Sequence, residues 1–250
     1  MTKGPPTLRL DRLLANLGYG TRREVERMVW ADLVVLDSVV LEDADQRIRV
    51  TPDLSSRMTV NGAPLDPPPG FALMLHKPLG VTCSHKEQGP LVYALLPERW
   101  RRREPAISTV GRLDKETSGL LLMTDDGTLL HRIISPRSQV YKRYDVTLAR
   151  PLRGDEEKIF ASGELMLEGE EKPLLPVPME TVSPTRAYVT LTEGRYHQVR
   201  RMFAAVGNHV AALHRDRVGG LVLPDDLPAG QYRILNDADL ALVLASPQGA

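Results

Sequence analysis

The stretch Val110-Gly111-Arg112-Leu113-Asp114-Lys115-Glu116-Thr117-Ser118-Gly119 sets one carboxylate, Asp114, between two cations, Arg112 and Lys115. A carboxylate flanked by positive charge stays ionised at neutral pH. In that form it can act as a nucleophile or as a base. The same residue in a loop bounded by Gly111 and Gly119 can equally cap a turn. The apolar run Leu120-Leu121-Leu122-Met123 follows at once, so the polar loop precedes a buried strand. Other reactive patterns are missing. The sequence has no Gly-x-x-x-x-Gly-Lys-Ser/Thr phosphate loop and no Gly-x-Gly-x-x-Gly fingerprint. Gly18-Tyr19-Gly20 lacks the third glycine and follows a helical pattern, not a strand. His76, His85, His131, His197, His209 and His214 show no zinc-binding spacing, and no Gly-x-Ser-x-Gly elbow occurs. The single cysteine, Cys83, excludes an intrachain disulfide and a multi-cysteine metal site. Chemistry that needs neither cofactor nor metal is the expectation.

The 250 residues carry 32 basic and 32 acidic side chains, a net charge of zero. The charges are unevenly spread. Met1–Trp30 has 6 basic and 3 acidic residues, His76–Asp145 has 12 and 8, and Gly194–Arg217 has 5 and 1. Such basic segments can form a surface for a polyanion, or be neutralised in the fold. Hydrophobic residues make up 42%, enough for a core, so wholesale disorder is excluded. No apolar run approaches the roughly 20 residues that span a bilayer. Met1–Leu8 shows no apolar signal core, and lone cysteine usage suits a reducing compartment. A cytoplasmic protein without membrane contact is expected.

The pattern divides the chain in two. Apolar spacing predicts a helix over Leu8–Leu17, stopped by Gly18 and Gly20. Thr21-Arg22-Arg23-Glu24 is a capping box that starts a second helix through Trp30. Leu33–Leu36 and Val39–Leu41 read as a hairpin about Asp37-Ser38, and Arg49–Leu65 as further short strands with a turn at Asn61-Gly62. Pro67-Pro68-Pro69 then interrupts every pattern and suggests a semi-rigid linker. The expected division is residues 1–66, a linker at 67–70, a second domain at 71–246 and a tail at 247–250. In the second domain Phe71–Leu75, Leu120–Thr124, Tyr144–Leu148 and Ala187–Thr192 read as strands. Thr128–Ile134, Tyr196–Val206 and Asp237–Leu244 read as helices. The elements do not alternate as βαβ units, so an α+β fold with a mixed or antiparallel sheet is expected.

Gly111-Arg112-Leu113-Asp114, with Thr117, Gly119-Leu120-Leu121-Leu122 and Thr124-Asp125-Asp126-Gly127, closely resembles the signature of the RsuA/RluB family of rRNA pseudouridine synthases. Three more stretches match in order. His76-Lys77-Pro78-Leu79-Gly80 is similar to the family's Asn-Lys-Pro-x-Gly opening, with His76 in place of the usual asparagine. Tyr141-Lys142-Arg143-Tyr144 is similar to its Lys-x-Tyr strand, and Glu193–Phe203 to its basic helix. The first 66 residues resemble an S4 RNA-binding domain through Arg9-Leu10-Asp11, Thr21-Arg22-Arg23 and Val34–Asp37. They depart from it at Ala31, Leu33 and Ser38.

The resemblance implies conversion of uridine to pseudouridine without a cofactor. It implies Asp114 as the catalytic carboxylate, acting on the ribose directly or after taking its 2′ proton. It implies Arg200 as the cation paired with Asp114, and Tyr144 as the aromatic that stacks on uracil and helps remove the C5 proton. The target nucleotide must leave its stack, and cations gripping flanking phosphates offset that cost. Candidates are Arg9, Arg12, Arg22, Arg23, Arg27, Arg112, Lys142, Arg195 and Arg201, with Arg143, Arg215 and Arg217 beside them. Arg99-Trp100-Arg101-Arg102-Arg103 can grip backbone and stack a base, or be a solvated loop. Thr124–Gly127, His131–Arg137 and Met202–Val210 look most like the subgroup acting on small-subunit 16S rRNA. The expected partner is therefore rRNA, free or in an assembling particle, and the protein a monomer. The same reaction on 23S rRNA and a non-catalytic RNA-binding assembly factor are the alternatives.

Overall fold

The structure, a computed structural model, describes residues 5–84 and 88–245. The tail expected at 247–250 lies outside the described residues. Two compact units are present. The first comprises Met1–Ala72, Leu96–Ser108 and Thr124–Gly127; the second comprises Leu73–Leu95, Thr109–Met123 and Thr128–Ala250.

In the first unit Thr7–Arg9 is a strand, β1, and the helix expected over Leu8–Leu17 begins only at Leu10 (α1, Leu10–Asn16). β1 pairs antiparallel with β4 (Arg47–Arg49), and that pairing holds the start of the pattern extended. α2 (Arg22–Trp30) follows, with Thr21 and Glu24 forming the expected capping box. The hairpin joins β2 (Val34–Leu36) to β3 (Val39–Val40), with Asp37 and Ser38 both at positive φ, as a two-residue turn matched to strand twist requires. The stretch Arg49–Leu65 contains one element the strand reading lacks, a single helical turn, α3 (Leu54–Arg57). β5 (Met58–Val60) and β6 (Ala63–Pro64) complete the four-stranded sheet, turning at Asn61-Gly62. Leu10, Leu13, Leu14, Leu17, Val25 and Val29 meet Val34, Leu54 and Met58 in its core.

A charged pair is built into this core. The Asp11 side chain is 2% exposed and accepts from Arg9 Nη2 at 3.0 Å, Arg22 Nε at 2.7 Å and the Arg12 backbone N–H at 2.6 Å. Burial alone would raise the Asp11 carboxyl; the bonds from Arg9 and Arg22 outweigh it and hold it below the usual range. Arg9 also pairs with Asp45.

The proline run does not hang free. The Pro67 carbonyl accepts from Arg103 Nη2 at 2.9 Å, and the Gly70 N–H donates to Asp125 at 2.8 Å. Arg103 and Asp125 pair at 2.9 Å with both side chains 1% exposed. Arg99 pairs with Asp66 at 2.6 Å and lies over the Tyr19 ring. Trp100 is 5% exposed and meets the Phe71 ring edge-on at 5.3 Å. The Arg99–Arg103 segment is therefore a short 3-10 helix (Glu98–Arg102) packed within the unit. Trp100 is not available to stack on a base, because its ring fills that apolar contact.

The second unit carries a nine-stranded mixed sheet. Its strands are β7 (Ala72–Lys77), β8 (Ser108–Val110), β9 (Ser118–Thr124), β10 (Lys142–Leu148), β11 (Met179–Ser183), β12 (Arg186–Leu191), β13 (Val210–Val218), β14 (Leu221–Val222) and β15 (Tyr232–Ile234). The order is β11-β12-β10-β13-β9-β7-β15, with β14 beside β13 and β8 beside β9. β10 is antiparallel to both its neighbours, while β13 runs parallel to β9. Helices α4 (Gly127–Ile134), α5 (Glu156–Ala161), α6 (Gln198–Ala205) and α7 (Asp237–Leu244) complete it. Phe160 of α5 and Met202 and Phe203 of α6 pack on Val146, Leu148, Val189 and Leu213 of the sheet. The sequence reading lacks β8, β11, β13, β14 and β15; β13, at nine residues, is the longest of these, and its charged stretch His214-Arg215-Asp216-Arg217 breaks the apolar pattern of a buried strand.

Because the folded state lowers the Asp11 carboxyl, its contribution is full above the unfolded carboxylate range near pH 4 and fades as pH falls below it. Asp11→Asn is expected to lower stability at pH 7 and to flatten the acid limb of the stability profile. Urea unfolding at pH 3, 4, 5 and 7 checks this; parallel wild-type and variant profiles would contradict it.

Candidate active site

Asp114 sits in the loop between β8 and β9, and the backbone of that loop is fixed from beneath. Lys77, the last residue of β7, is 0% exposed. Its ammonium donates to the carbonyls of Pro78 at 3.1 Å, Asp114 at 3.0 Å and Thr117 at 2.8 Å. The Thr117 N–H closes the turn onto the Asp114 carbonyl at 3.0 Å, and the Gly80 N–H donates to the Lys115 carbonyl at 2.9 Å. The Asp114 carboxylate itself stays accessible, with its side chain 35% exposed.

The sheet fixes the loop's exit. Gly119 has φ +113°, and a Cβ there would lie 2.2 Å from the Arg215 carbonyl. Only glycine lets β9 approach β13 so closely. Arg215 is 2% exposed and donates from Nε to the Leu120 carbonyl at 2.8 Å. Its burial removes it from the phosphate-gripping set. Its Nη1 lies 3.5 Å from the Tyr144 hydroxyl, and Tyr144 stands opposite Arg215 in the β10–β13 register. Tyr144, Arg215 and Gly119 thus form one row across three adjacent strands.

Arg200 does not pair with Asp114. From α6 its Nη2 donates to the Glu116 carbonyl at 2.7 Å and its Nη1 to the Val210 carbonyl at 3.1 Å. It holds the far end of the same loop by its backbone. His197 stands beside the carboxylate, its Nε2 3.5 Å from Asp114 Oδ1. The reason is position: α6 begins at Gln198, so His197 is its N-cap and faces the loop, while Arg200 is a turn further along. A cavity of about 310 Å³ opens beside the loop, lined among others by Glu116, Ser118, Arg200 and His214. The Ser118 hydroxyl and His214 Nδ1 are 2.9 Å apart, and burial lowers the His214 imidazole.

The expected RNA-contact residues divide. Arg9 and Arg22 are engaged by Asp11. Arg195 pairs with Glu193 at 3.1 Å and with Glu170 at 3.3 Å, and Arg201 pairs with Glu170 at 2.7 Å. These four guanidiniums tie chain segments together, since each faces a carboxylate close in the fold. Arg143 pairs with Asp216 at 2.6 Å. Arg12, Arg23 and Arg112 are exposed, and Arg27 is exposed with one bond to the Arg23 carbonyl. Lys142 is partly buried, with its ammonium on the Val140 carbonyl at 3.0 Å; burial, then the Arg215 charge, lower it to about 8. Among the described residues no cluster of three or more His, Cys, Asp or Glu can hold a metal. No helix among them is long and apolar enough to cross a membrane. Lys77 and His197 carry roles that sequence reasoning did not assign. Both lie in stretches that the resemblance covers, His76–Gly80 and Glu193–Phe203, and Lys77 also ends an otherwise apolar strand.

Comparison with known proteins follows the same lines. Residues 72–205 match the RNA pseudouridylate synthase family. The chain is 39% identical over 241 residues to ribosomal small subunit pseudouridine synthase A of Escherichia coli K12, covering 95% of this chain and 100% of that one. It is 40% identical over 238 residues to the protein of that name from Yersinia pestis, covering 94% and 98%. A crystal structure of a pseudouridylate synthase superposes with a TM-score of 0.66 at 32% identity, covering 94% of this chain and 99% of that one.

Lys77→Met keeps the stem and removes the three donors. It is expected to cost about 2–4 kcal/mol, since buried carbonyls lose charge-assisted bonds. Denaturant unfolding measures it; a variant within about 0.5 kcal/mol of wild type would show that the ammonium does not anchor the loop.

Proposed function

Since the chain belongs to the RNA pseudouridylate synthase family and is a pseudouridine synthase, we propose that it isomerises a specific uridine of small-subunit 16S rRNA, with Asp114 as the catalytic carboxylate. The observation that carries this reading is the contrast within one loop. The backbone from Asp114 to Thr117 is bound from below by Lys77, while the Asp114 carboxylate remains open to a substrate. A group held in place before the substrate arrives is what catalysis by positioning requires. The small-subunit relatives, matched over nearly the whole chain, support the choice of RNA.

Isomerisation breaks the bond from N1 of uracil to C1′ and makes a bond from C5 to C1′. The C5 proton leaves and N1 gains one, so no redox partner or group donor is needed. Asp114 acts at the ribose, and Tyr144 offers a ring for the base and a phenol near the C5 proton. Arg215 orients that phenol. Arg200 acts on Asp114 through the loop backbone. The uridine must be flipped from its stack, which costs a few kcal/mol. Exposed Arg12, Arg23, Arg27 and Arg112, together with Lys142, supply phosphate contacts that offset this. The working compartment is where ribosomal RNA is assembled, the cytoplasm.

Tritium release from [5-³H]uridine-labelled 16S transcript and small-subunit particles tests the reading, with 23S transcript alongside. Wild type is expected to release tritium from the 16S substrate alone, and Asp114→Asn to lose on the order of 10³-fold or more in rate while still binding RNA. Release from 23S only would move the substrate, and unchanged Asp114→Asn turnover would remove the carboxylate from the mechanism. RNA affinity should also weaken as pH rises through about 8, where Lys142 sheds its charge. Lys142→Arg keeps the charge and should flatten that dependence.

A further inference from the structure

Among the described residues Tyr196 is the most exposed large apolar or aromatic side chain, at 74%, and it stands beside the carboxylate that the proposed function uses. Its ring stacks on the His197 imidazole at 3.9 Å between centroids, with the planes 16° apart. The other side of that imidazole's contacts ends on Asp114, 3.5 Å from Nε2. One face of Tyr196 is thus occupied and the opposite face is open.

This exposed ring stands on a fixed backbone. His197 has φ +47° and ψ +35°, a left-handed conformation that a non-glycine residue keeps only when its surroundings hold it there. On one side of Tyr196 the Arg195 guanidinium bonds to Glu170, Glu193 and the carbonyls of Lys172 and Pro173. On the other side Arg201 donates to the Tyr196 carbonyl at 3.2 Å and to Glu170 at 2.7 Å. A large apolar ring held rigid in water gains nothing for the fold. It does lower the ordering cost of a partner that stacks on it.

We propose that the open face of Tyr196 is a stacking platform for an unpaired nucleobase flanking the target uridine. The inference rests on the proposed RNA substrate. Flipping one nucleotide leaves its neighbours with unstacked faces, and an aromatic face next to the site replaces a lost stacking contact whatever the base. A neutral ring adds affinity without neutralising a phosphate, so its contribution is independent of salt.

Equilibrium binding of 16S transcript to wild type, Tyr196→Ala, Tyr196→Phe and Tyr196→Trp, each at several salt concentrations, tests the platform. Tyr196→Ala is expected to bind roughly 5- to 150-fold more weakly. Phe and Trp should restore binding to within a few-fold of wild type, and all four should share one slope of log affinity against log salt. Turnover should show the loss in KM, with kcat kept within a few-fold. Thermal melting should be the same in all four, because the side chain is exposed. Wild-type affinity in Tyr196→Ala would overturn the proposal. So would Tyr196→Phe as weak as Tyr196→Ala, which assigns the effect to the hydroxyl, or a changed salt slope, which assigns it to a phosphate contact. Binding is read without turnover, so wild type that binds through the ring but releases no tritium would overturn the proposed function and leave the platform standing.

Discussion

The second unit depends on a buried ammonium. Taking Lys77 out of water is expensive unless its donors are met, and it donates to backbone carbonyls, two of them in the Asp114–Thr117 turn. The desolvation cost makes the arrangement stringent. A loop that moved away would strand a charge in the core, so the loop is held at one position.

Around that anchor the sheet supplies the rest of the alignment. Gly119 permits β9 to meet the β13 backbone, and Arg215 crosses to the Leu120 carbonyl, so the strand leaving the loop is tied by both backbone and side chain. The same Arg215 reaches the Tyr144 hydroxyl. Asp114 and Tyr144 come from segments 30 positions apart in the sequence, yet each is referred to the same stretch of β13. The mixed topology makes this possible: β13 pairs antiparallel with the strand carrying the tyrosine and parallel with the strand that follows the aspartate.

Much of this was legible in the residues, and the exceptions share a physical cause. Local signals were sufficient where local energetics decide. The capping box at Thr21 and Glu24, the positive-φ turn at Asp37-Ser38 and the helix at Asp237–Leu244 appear where the pattern puts them. Pairing overrode pattern at β1, where Arg47–Arg49 holds Thr7–Arg9 extended. Charge burial was the larger gap. Lys77, Arg103, Asp125 and Arg215 are all buried, and sequence alone reads such residues as solvated. The proline run read as a semi-rigid linker, and the Arg103–Asp125 pair that binds it is invisible in the sequence because it is assembled from distant positions. For the site, the resemblance singled out Asp114, Tyr144 and Arg200. It did not reveal that Arg200 holds loop carbonyls while His197 faces the carboxylate, since that depends on where α6 starts.

The basic segments teach a related point about charge. A net charge of zero with clustered cations invites the reading that every arginine in a cluster faces RNA. Here carboxylates select among them. Asp11 takes Arg9 and Arg22, Glu170 takes Arg195 and Arg201, and Asp216 takes Arg143. An arginine already paired adds little to phosphate binding, because a second anion must compete with the first. The count of basic residues therefore overstates the charge left for a phosphate. The paired arginines contribute differently: those on Glu170 immobilise the backbone that presents Tyr196 and His197 beside Asp114, so their charge acts on the site through geometry.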